Sequence, residues 1–315
     1  MTSVRPDGGP HAALLYDSAE DLTAVAVPFL ADGLAAGEAV VVACREEHAA
    51  LLAERLGADD RIVSLQRDVV YTRSPEAVAT IRHVVHRQLA AGAPRVRLLS
   101  EVPVDRWAEW HRYEAVFNVV MAPLPLRSVC AYDARALPRS ILDGVEETHP
   151  ALLTAAGRRT NDRYVDPATV LRRTSPVPVD VVEHTPPTLD VADLADSTRL
   201  AQLRAQVRAA LEGSPAQEHR RGDFGLAVGE VLANAFRHGR PPVSARLWSD
   251  GHRLVCRITD SGRGYDDPLA GYRPAHGEDL AHGGMGLWLA RKLFDSVDLL
   301  PGPAGLTVRL ATRLR

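Results

Sequence analysis

The first half of this 315-residue chain alternates short strand-like runs with longer amphipathic segments. Continuous apolar character over 4–6 residues is typical of strands that are buried on both faces, and Ala39-Val-Val-Val-Ala43 is the clearest example. Similar strand candidates follow at 95–99 and 128–132, and helical spacing lies between them at 46–56 and 75–91. Strands separated by helices of this length predict βαβ units. We therefore expect an α/β domain with a mainly parallel sheet over residues 11–150.

The remaining chain has a different pattern. Residues 151–188 are proline-rich with little periodicity, which predicts a linker, with the option that one strand joins a domain edge. Residues 189–315 combine helix candidates at 194–211, 223–238 and 285–294 with strand candidates at 243–248, 253–259, 296–300 and 306–311. The Asp250-Gly251 turn predicts a hairpin between the first two of these strands. This mixture predicts an α+β sandwich as the second domain.

Composition excludes several classes of protein. Apolar residues make up 46% of the chain, charged residues 24%, and the formal net charge is -3, so neither a nucleic-acid-binding surface nor a membrane-binding one is expected. No run approaches the roughly 20 apolar residues that a membrane span needs, and the N-terminus lacks the apolar centre of a signal peptide. Cys44, Cys130 and Cys256 are far apart and odd in number, which favours buried free thiols. We expect a cytoplasmic protein.

A first candidate motif is Glu230-Val-Leu-Ala-Asn234-Ala-Phe-Arg-His238. On a helix, Glu230, Asn234 and His238 share one face, one turn apart. A carboxylate and an amide placed in this way can hold a hydrated Mg²⁺ and orient an attacking group. Polar residues at this spacing also occur on ordinary solvated helix faces, so this motif alone does not define a site.

Two glycine-rich motifs follow. Asp260-Ser-Gly262-Arg-Gly264 comes directly after a strand candidate, where an acid could accept a hydrogen bond from an exocyclic amine; the alternative is a turn that ends the strand. His282-Gly283-Gly284-Met285-Gly286-Leu287 precedes a helix candidate. Free backbone N–H groups at a helix N-terminus bind phosphate, although a flexible helix entry would look the same.

In this order, the three motifs resemble the N, G1 and G2 boxes of the GHKL superfamily, and the resemblance covers about residues 190–315. It implies a Bergerat-type ATP-binding fold with ATP and Mg²⁺ as cofactors. Carried over residue by residue, it implies Glu230 as general base, Asn234 as Mg²⁺ ligand and Asp260 as adenine reader. The other nucleotide-binding residues that it implies are Arg237, His238, Gly262, Gly264, Gly283, Gly284, Met285, Gly286, Leu287 and Thr307.

Within the superfamily, the compact Glu230-x₃-Asn234-Ala-x₂-His238-Gly239 motif, the short lid and the early C-terminus look like the anti-sigma-factor serine/threonine kinases. The lid is predicted at 265–282, with Arg273, His276 and His282 as its possible phosphate partners. That branch implies a sigma factor or a STAS-domain antagonist as partner and phosphorylation of the antagonist. Two alternatives stay open. The first is a non-catalytic switch in which ATP holds a protein-binding conformation. The second is an unorthodox histidine kinase, although neither Glu183-His184-Thr185 nor Glu218-His219-Arg220 continues as a phosphoacceptor box.

The first domain carries Gly33-Leu-Ala-Ala-Gly37-Glu38 where a RecA-like domain would have a P-loop. Because Glu38 replaces the lysine that grips phosphate, we expect no nucleotide hydrolysis there. His11, Tyr16, Trp110-x₂-Tyr113-Glu114, Cys130-x-Tyr132-Asp133 and Thr148-His149-Pro150 look like the MEDS sensory domain of bacterial regulators. The resemblance implies a sensory role for residues 11–150. The signal, a small molecule or a protein, and homodimer formation are left open.

Overall fold

The computed structural model describes residues 11–174, 179–212, 218–262, 267–272, 286–303 and 305–314. The chain forms two compact units that divide between Leu171 and Arg172. Within the described residues, no helix combines the length and the apolarity needed to cross a membrane.

The first unit is built on a seven-stranded sheet with strand order β3-β2-β4-β5-β1-β6-β7. All neighbouring strands pair in parallel except β6 and β7, which are antiparallel. The predicted mainly parallel sheet is confirmed. The strands are β1 (His11–Tyr16), β2 (Ala39–Ala43), β3 (Ile62–Ser64), β4 (Val96–Ser100), β5 (Leu126–Asp133), β6 (Ala151–Thr154) and β7 (Gly157–Thr160).

Helices cover both faces of this sheet, because each face carries its own apolar cluster. Residues of β2 are buried along the whole strand, as its continuous apolar run predicts. The helices are α1 (Ala19–Ala35), α2 (Glu46–Leu56), α3 (Arg67–Val70), α4 (Ser74–Ala90), α5 (Trp107–Val120), α6 (Arg139–Thr148) and α7 (Pro167–Arg173).

The Gly33–Glu38 segment joins the end of α1 to β2, so it runs from helix to strand, whereas a P-loop runs from strand to helix. Glu38 is buried and pairs with Arg97, with Nε 2.5 Å from Oε2. Gly33 leaves room for the Arg97 side chain, since a Cβ there would lie 2.6 Å from Arg97 Cδ. The acid at this position is therefore part of a buried ion pair.

The segment that the sequence assigned to a linker is structured at both of its described ends. Residues 151–160 form β6 and β7 at the edge of the first sheet. The 3₁₀ turn Val181–His184 belongs to the second unit, where Val182 packs against Trp248 and Val255. Leu152 and Val182 are buried, although each lies in an element of only four residues. Elements this short leave little periodicity in a sequence.

The second unit has a five-stranded antiparallel sheet with order β11-β12-β10-β9-β8. One face is covered by three helices that enclose a single apolar core. The predicted α+β arrangement with separate helix and sheet layers is confirmed. The elements are β8 (Leu189–Leu194), α8 (Leu200–Glu212), α9 (Glu218–His238), β9 (Val243–Ser249), β10 (Arg253–Asp260), α10 (Gly286–Leu293), β11 (Ser296–Gly302) and β12 (Gly305–Arg313).

The largest boundary difference from the prediction is at the start of α8. The sequence pattern starts a helix at Leu194, but that residue ends β8, and α8 begins six residues later. Leu189 and Val191 alternate with polar residues as a strand requires, and Asp193 has a φ of 56° in the irregular part of the strand. The Asp196 side chain then accepts the Thr198 N–H and caps the following 3₁₀ turn.

Candidate functional site

Helix α9 supplies one side of the candidate site. Val231, Leu232 and Ala235 are buried in the apolar core and fix the rotation of the helix. On the same helix Glu230 and Asn234 are half-buried, and the Glu230 side chain keeps 34% of its exposure. Glu230 and Asn234 therefore share a helix face with access to solvent, as predicted. His238 and Arg237, in the last turn, are exposed.

The N-terminus of α10 packs directly on this face. A Cβ at Gly286 would lie 2.6 Å from Asn234 Nδ2 and 3.2 Å from Glu230 Cβ. Contacts below 3.0 Å are essentially unknown for real Cβ atoms. Glycine at this position lets the described start of α10 pack closely against both side chains. Leu287, the next residue, is half-buried and packs on the core.

Asp260 lies at the end of β10, against the C-terminal end of α9. Its side chain is buried, with 5% of the residue exposed. Oδ1 accepts the Gly262 N–H at 2.8 Å, and no other hydrogen bond to this carboxylate comes from the described residues. Glycines line it on two sides, because a Cβ at Gly239 or Gly262 would lie 2.4 or 2.7 Å from Oδ1. The result is a buried carboxylate whose second oxygen can still accept a donor.

The turn between β11 and β12 fixes the backbone beneath Asp260. Gly305 has a φ of 128°, and a Cβ there would lie 1.8 Å from the Asp260 carbonyl oxygen. Thr307 follows two residues later and pairs with Thr259, with hydroxyl oxygens 2.8 Å apart. Thr259 and Asp260 are consecutive in a strand, so their side chains point to opposite faces. The structure therefore does not bring the Thr307 hydroxyl to the face that carries Asp260.

Arg204 is a residue of this site that the sequence analysis missed. It lies on α8, and its Nη2 is 3.1 Å from the Gly229 carbonyl oxygen and 3.4 Å from Glu230 Oε1. Gly229 makes room for it, since a Cβ there would lie 3.0 Å from Arg204 Nε. Arg204 thus holds the Glu230 carboxylate from a different helix. The sequence gives no signal for this contact beyond a lone arginine in a helix.

Arg291 is a second missed residue. It is 8% exposed, and its guanidinium donates to the carbonyls of Ala270 (2.6 Å) and Val297 (3.0 Å) and lies over the Tyr272 ring. Gly271, with a φ of 78°, contacts Leu287 at the start of α10. These contacts fasten residues 267–272 to α10. This segment of the predicted lid is therefore tied to the helix whose N-terminus faces Glu230 and Asn234.

Several predicted residues lie outside the described part of the chain. They are Gly264, Gly283, Gly284 and Met285, together with the lid residues Arg273, His276 and His282. Of the predicted set, the structure brings together Glu230, Asn234 and Gly286 at one point. Asp260 and Gly262 meet at the end of the same helix, beside Gly239.

A substitution tests the close approach of α10. We expect Gly286→Ala to weaken adenine-nucleotide binding by tenfold or more, because the added Cβ displaces the Asn234 amide and overpacking costs about 1–3 kcal/mol. Gly302→Ala is the matched control, since the nearest atom to a Cβ there is 3.9 Å away. Calorimetric titration of both variants with Mg-ATP measures the effect. Equal affinities for the two variants would contradict the role given to Gly286.

Comparisons with known proteins divide along the same line as the structure. Residues 10–150 match the family model of MEDS, the MEthanogen/methylotroph, DcmR Sensory domain. Residues 194–312 match the model of the histidine kinase-like ATPase domain. No curated protein matches the chain.

Among solved structures, the chain is similar to a crystal structure of the RsbU and RsbW domains of a Mycobacterium tuberculosis protein. The identity is 26%, over 41% of this chain and 33% of the other, and the TM-score is 0.29. This chain thus matches about a third of the length of that one.

Proposed function

We propose that this chain, which carries a MEDS domain followed by a histidine kinase-like ATPase domain, is an anti-sigma-type regulator. Its second domain, residues 189–315, binds Mg-ATP in a Bergerat-type pocket and transfers phosphate to a serine or threonine of a STAS-domain antagonist. One observation carries the proposal. A single face of α9 presents Glu230 and Asn234 to the N-terminus of α10, and the buried Asp260 lies at the end of the same helix.

The residues present fit an adenine nucleotide. Asp260 is a buried acceptor with one oxygen engaged by Gly262 N–H, so its second oxygen suits the exocyclic amine of adenine. Gly239 and Gly262 let the backbone pack against this carboxylate, because a Cβ at either position would collide with it. The first turn of α10 offers backbone N–H groups for phosphate. These features support an adenine end at Asp260 and a phosphate end at Gly286.

The phosphate end also carries groups suited to phosphoryl transfer. Asn234 supplies an amide oxygen, a ligand type that Mg²⁺ accepts, and the ion would neutralise charge on the phosphates. Glu230 lies one helical turn away and would accept the proton of the attacking hydroxyl. Arg204 contacts the Glu230 carboxylate, which fixes its direction. We assign Glu230 as the general base and Arg204 as its positioning residue.

The kinase is proposed to act on serine or threonine because of the compact Glu230-x₃-Asn234-Ala-x₂-His238-Gly239 motif. The first domain, residues 11–150, would have a RecA-like sheet that no longer grips phosphate and would sense a signal. Signal binding to the first domain would then change the affinity of the second domain for a sigma factor or for its antagonist. Such a regulator works in the cytoplasm, where sigma factors act.

One experiment separates this proposal from its two rivals. The full chain is incubated with ATP labelled at the γ-phosphate and with STAS-domain proteins. We expect acid-stable label on a serine or threonine of one of them. Acid-labile label on the chain itself would instead support a histidine kinase. No label, together with ATP-dependent binding of a partner, would support the non-catalytic switch.

The assignment of Asp260 has its own test. We expect Asp260→Asn to weaken ATP binding by about 1–3 kcal/mol and to reduce the discrimination against GTP, because an amide mismatches the adenine amine. Asp250→Asn, in the turn that precedes the same strand, is the control. Affinities for ATP and GTP are measured by calorimetry on both variants. Unchanged affinities in Asp260→Asn would leave Asp260 as a turn residue only.

A further inference from the structure

Four side chains with metal-ligating atoms meet inside the first unit. They are His11 at the start of β1, Glu114 on α5, Cys130 on β5 and His149 after α6, and each is at most 1% exposed. One ligand atom from each lies within 4.8 Å of the other three. His11 and Cys130 are 119 residues apart in sequence, so the parallel pairing of β1 with β5 creates this group. Nothing in the proposed ATP chemistry uses it.

Four of the six separations between these ligand atoms are close to those of ligands around one small ion, and the other two are at most 4.8 Å. His11 Nε2 is 3.2 Å from Cys130 Sγ and 3.3 Å from Glu114 Oε2. Glu114 Oε2 is 3.7 Å from both Cys130 Sγ and His149 Nε2. With Zn–N and Zn–O bonds of about 2.0 Å and a Zn–S bond of about 2.3 Å, the edges of a tetrahedron are about 3.3–3.6 Å. A zinc ion would therefore fit with little movement.

His149 directs a lone pair into the group. Its Nδ1 donates to the Val145 carbonyl oxygen at 2.7 Å, so the proton of the neutral ring is on Nδ1. Its Nε2 is then an acceptor with no hydrogen-bond partner among the described residues, facing a carboxylate oxygen. His149 Nε2 and Glu114 Oε2 are then two acceptors that face each other with no proton between them. A cation between them would bind both.

The surroundings orient the other three groups in the same way. Asn118 donates to the Glu114 and Thr148 carbonyls, so its oxygen accepts from His11 Nδ1 at 3.2 Å. The lone pair of His11 Nε2 therefore also points into the group. The Tyr132 hydroxyl donates to Glu114 Oε1 and leaves Oε2 for an ion. Hydrogen bonds that fix tautomer and carboxylate orientation are typical partners of metal ligands.

We propose that the first domain binds one divalent transition-metal ion, zinc by the chemistry of the ligands, through His11 Nε2, Glu114 Oε2, Cys130 Sγ and His149 Nε2. Two imidazole nitrogens and a sulfur exclude Mg²⁺ and Ca²⁺, which take oxygen ligands. The thiol proton leaves to solvent when the ion binds, so a thiolate and a carboxylate neutralise its charge. Four protein ligands make a closed site, which ties β1, α5, β5 and the C-terminal end of α6 together.

The full-length protein is tested directly. It is stripped with a chelator and titrated with Zn²⁺ in competition with a chromophoric chelator, and separately with Co²⁺. We expect one high-affinity ion per chain, a thiolate-to-cobalt charge-transfer band, and a rise in the thermal midpoint on adding Zn²⁺. Wild-type protein that binds neither ion stoichiometrically would overturn the proposal and would leave a hydrogen-bonded polar cluster.

Variants locate the ion. We expect Cys130→Ser to abolish the charge-transfer band and to weaken Zn²⁺ binding by more than 100-fold, beyond the about 10–100-fold typical of losing an outer hydrogen bond. Tyr132→Phe should lie within that smaller range and retain the band. Cys44→Ser is the matched control, because Cys44 is a buried thiol of the same domain that lies by the Leu99 carbonyl. A band that survives Cys130→Ser but disappears in Cys44→Ser would place the ion elsewhere and refute the assignment.

Discussion

Glu230→Gln is expected to reduce phosphate transfer by about 10²–10⁴-fold, the usual contribution of general base catalysis. The substitution keeps the size of the side chain and its contact with Arg204 but removes the basic oxygen. ATP affinity should hardly change, because this carboxylate serves the transition state rather than ground-state binding. The measurements are single-turnover transfer to the STAS protein and calorimetric ATP binding on the full chain.

Two further variants make this result specific. Glu212→Gln changes an exposed carboxylate at the end of α8 and should leave both quantities unchanged. Asn234→Ala should differ from Glu230→Gln, because losing a Mg²⁺ ligand weakens Mg-dependent ATP binding as well as transfer. Wild-type transfer that persists undiminished in Glu230→Gln would refute the base assignment while leaving the ATP pocket in place.

The parts of the site that the sequence predicted are those set by local rules. Glu230 and Asn234 share a face because the helical period places them one turn apart. Asp260 was identifiable because it follows a strand and precedes a glycine. Gly286 was identifiable from the glycine-rich entry to a helix. Each of these signals lies within fewer than ten residues of sequence.

The parts that the sequence did not predict depend on contacts between distant segments. Arg204 reaches Glu230 from another helix, and Arg291 binds the carbonyls of residues 267–272; an isolated arginine in a helix carries no such information. The nucleotide contact predicted for Thr307 is a different case. Its position in the last strand suited a nucleotide contact, but the pairing of β12 with β10 turns its side chain to the face away from Asp260.

The dependence on distant segments also explains why the sequence did not predict the proposed metal site. His11, Glu114, Cys130 and His149 were all visible in the motifs that resemble a sensory domain. Their spacing along the chain matches no metal-binding pattern, because four separate elements contribute one ligand each. Only the strand order, with β1 between β5 and β6, brings them to one point.

Glu183→Gln is expected to destabilise the second unit by about 3–5 kcal/mol, the cost of removing one partner of a buried ion pair. Glu183 lies in the 3₁₀ turn that was predicted as linker, and its Oε1 accepts from Arg309 Nε and Nη2 at 3.0 and 2.7 Å. Both side chains are 2% exposed. Neutralising Glu183 leaves the buried Arg309 with Asp298 as its remaining buried acid. Unfolding of the full chain is followed by heating or by urea. The transition that shifts on adding ATP is assigned to the second unit, and its change in the variant is the measurement.

Asp190→Asn is the matched control, because the Asp190–Arg246 pair on the same sheet is 47% and 58% exposed and should contribute at most about 1 kcal/mol.

The pH dependence of the free energy of unfolding adds a second criterion. Burial opposes ionisation of Glu183, but the hydrogen bonds from Arg309 outweigh it and hold the pKa below its usual value. A carboxylate whose pKa is lower in the folded state stabilises the fold at pH values above its unfolded pKa, which is about 4.3 for glutamate. This stabilisation is lost as the pH falls through the folded-state pKa. The difference between wild type and Glu183→Gln should therefore be full near pH 7 and shrink below about pH 4. A stability difference that stays constant between pH 7 and pH 4 would show that packing of the Glu183 side chain, and not its charge, holds the turn against the sheet.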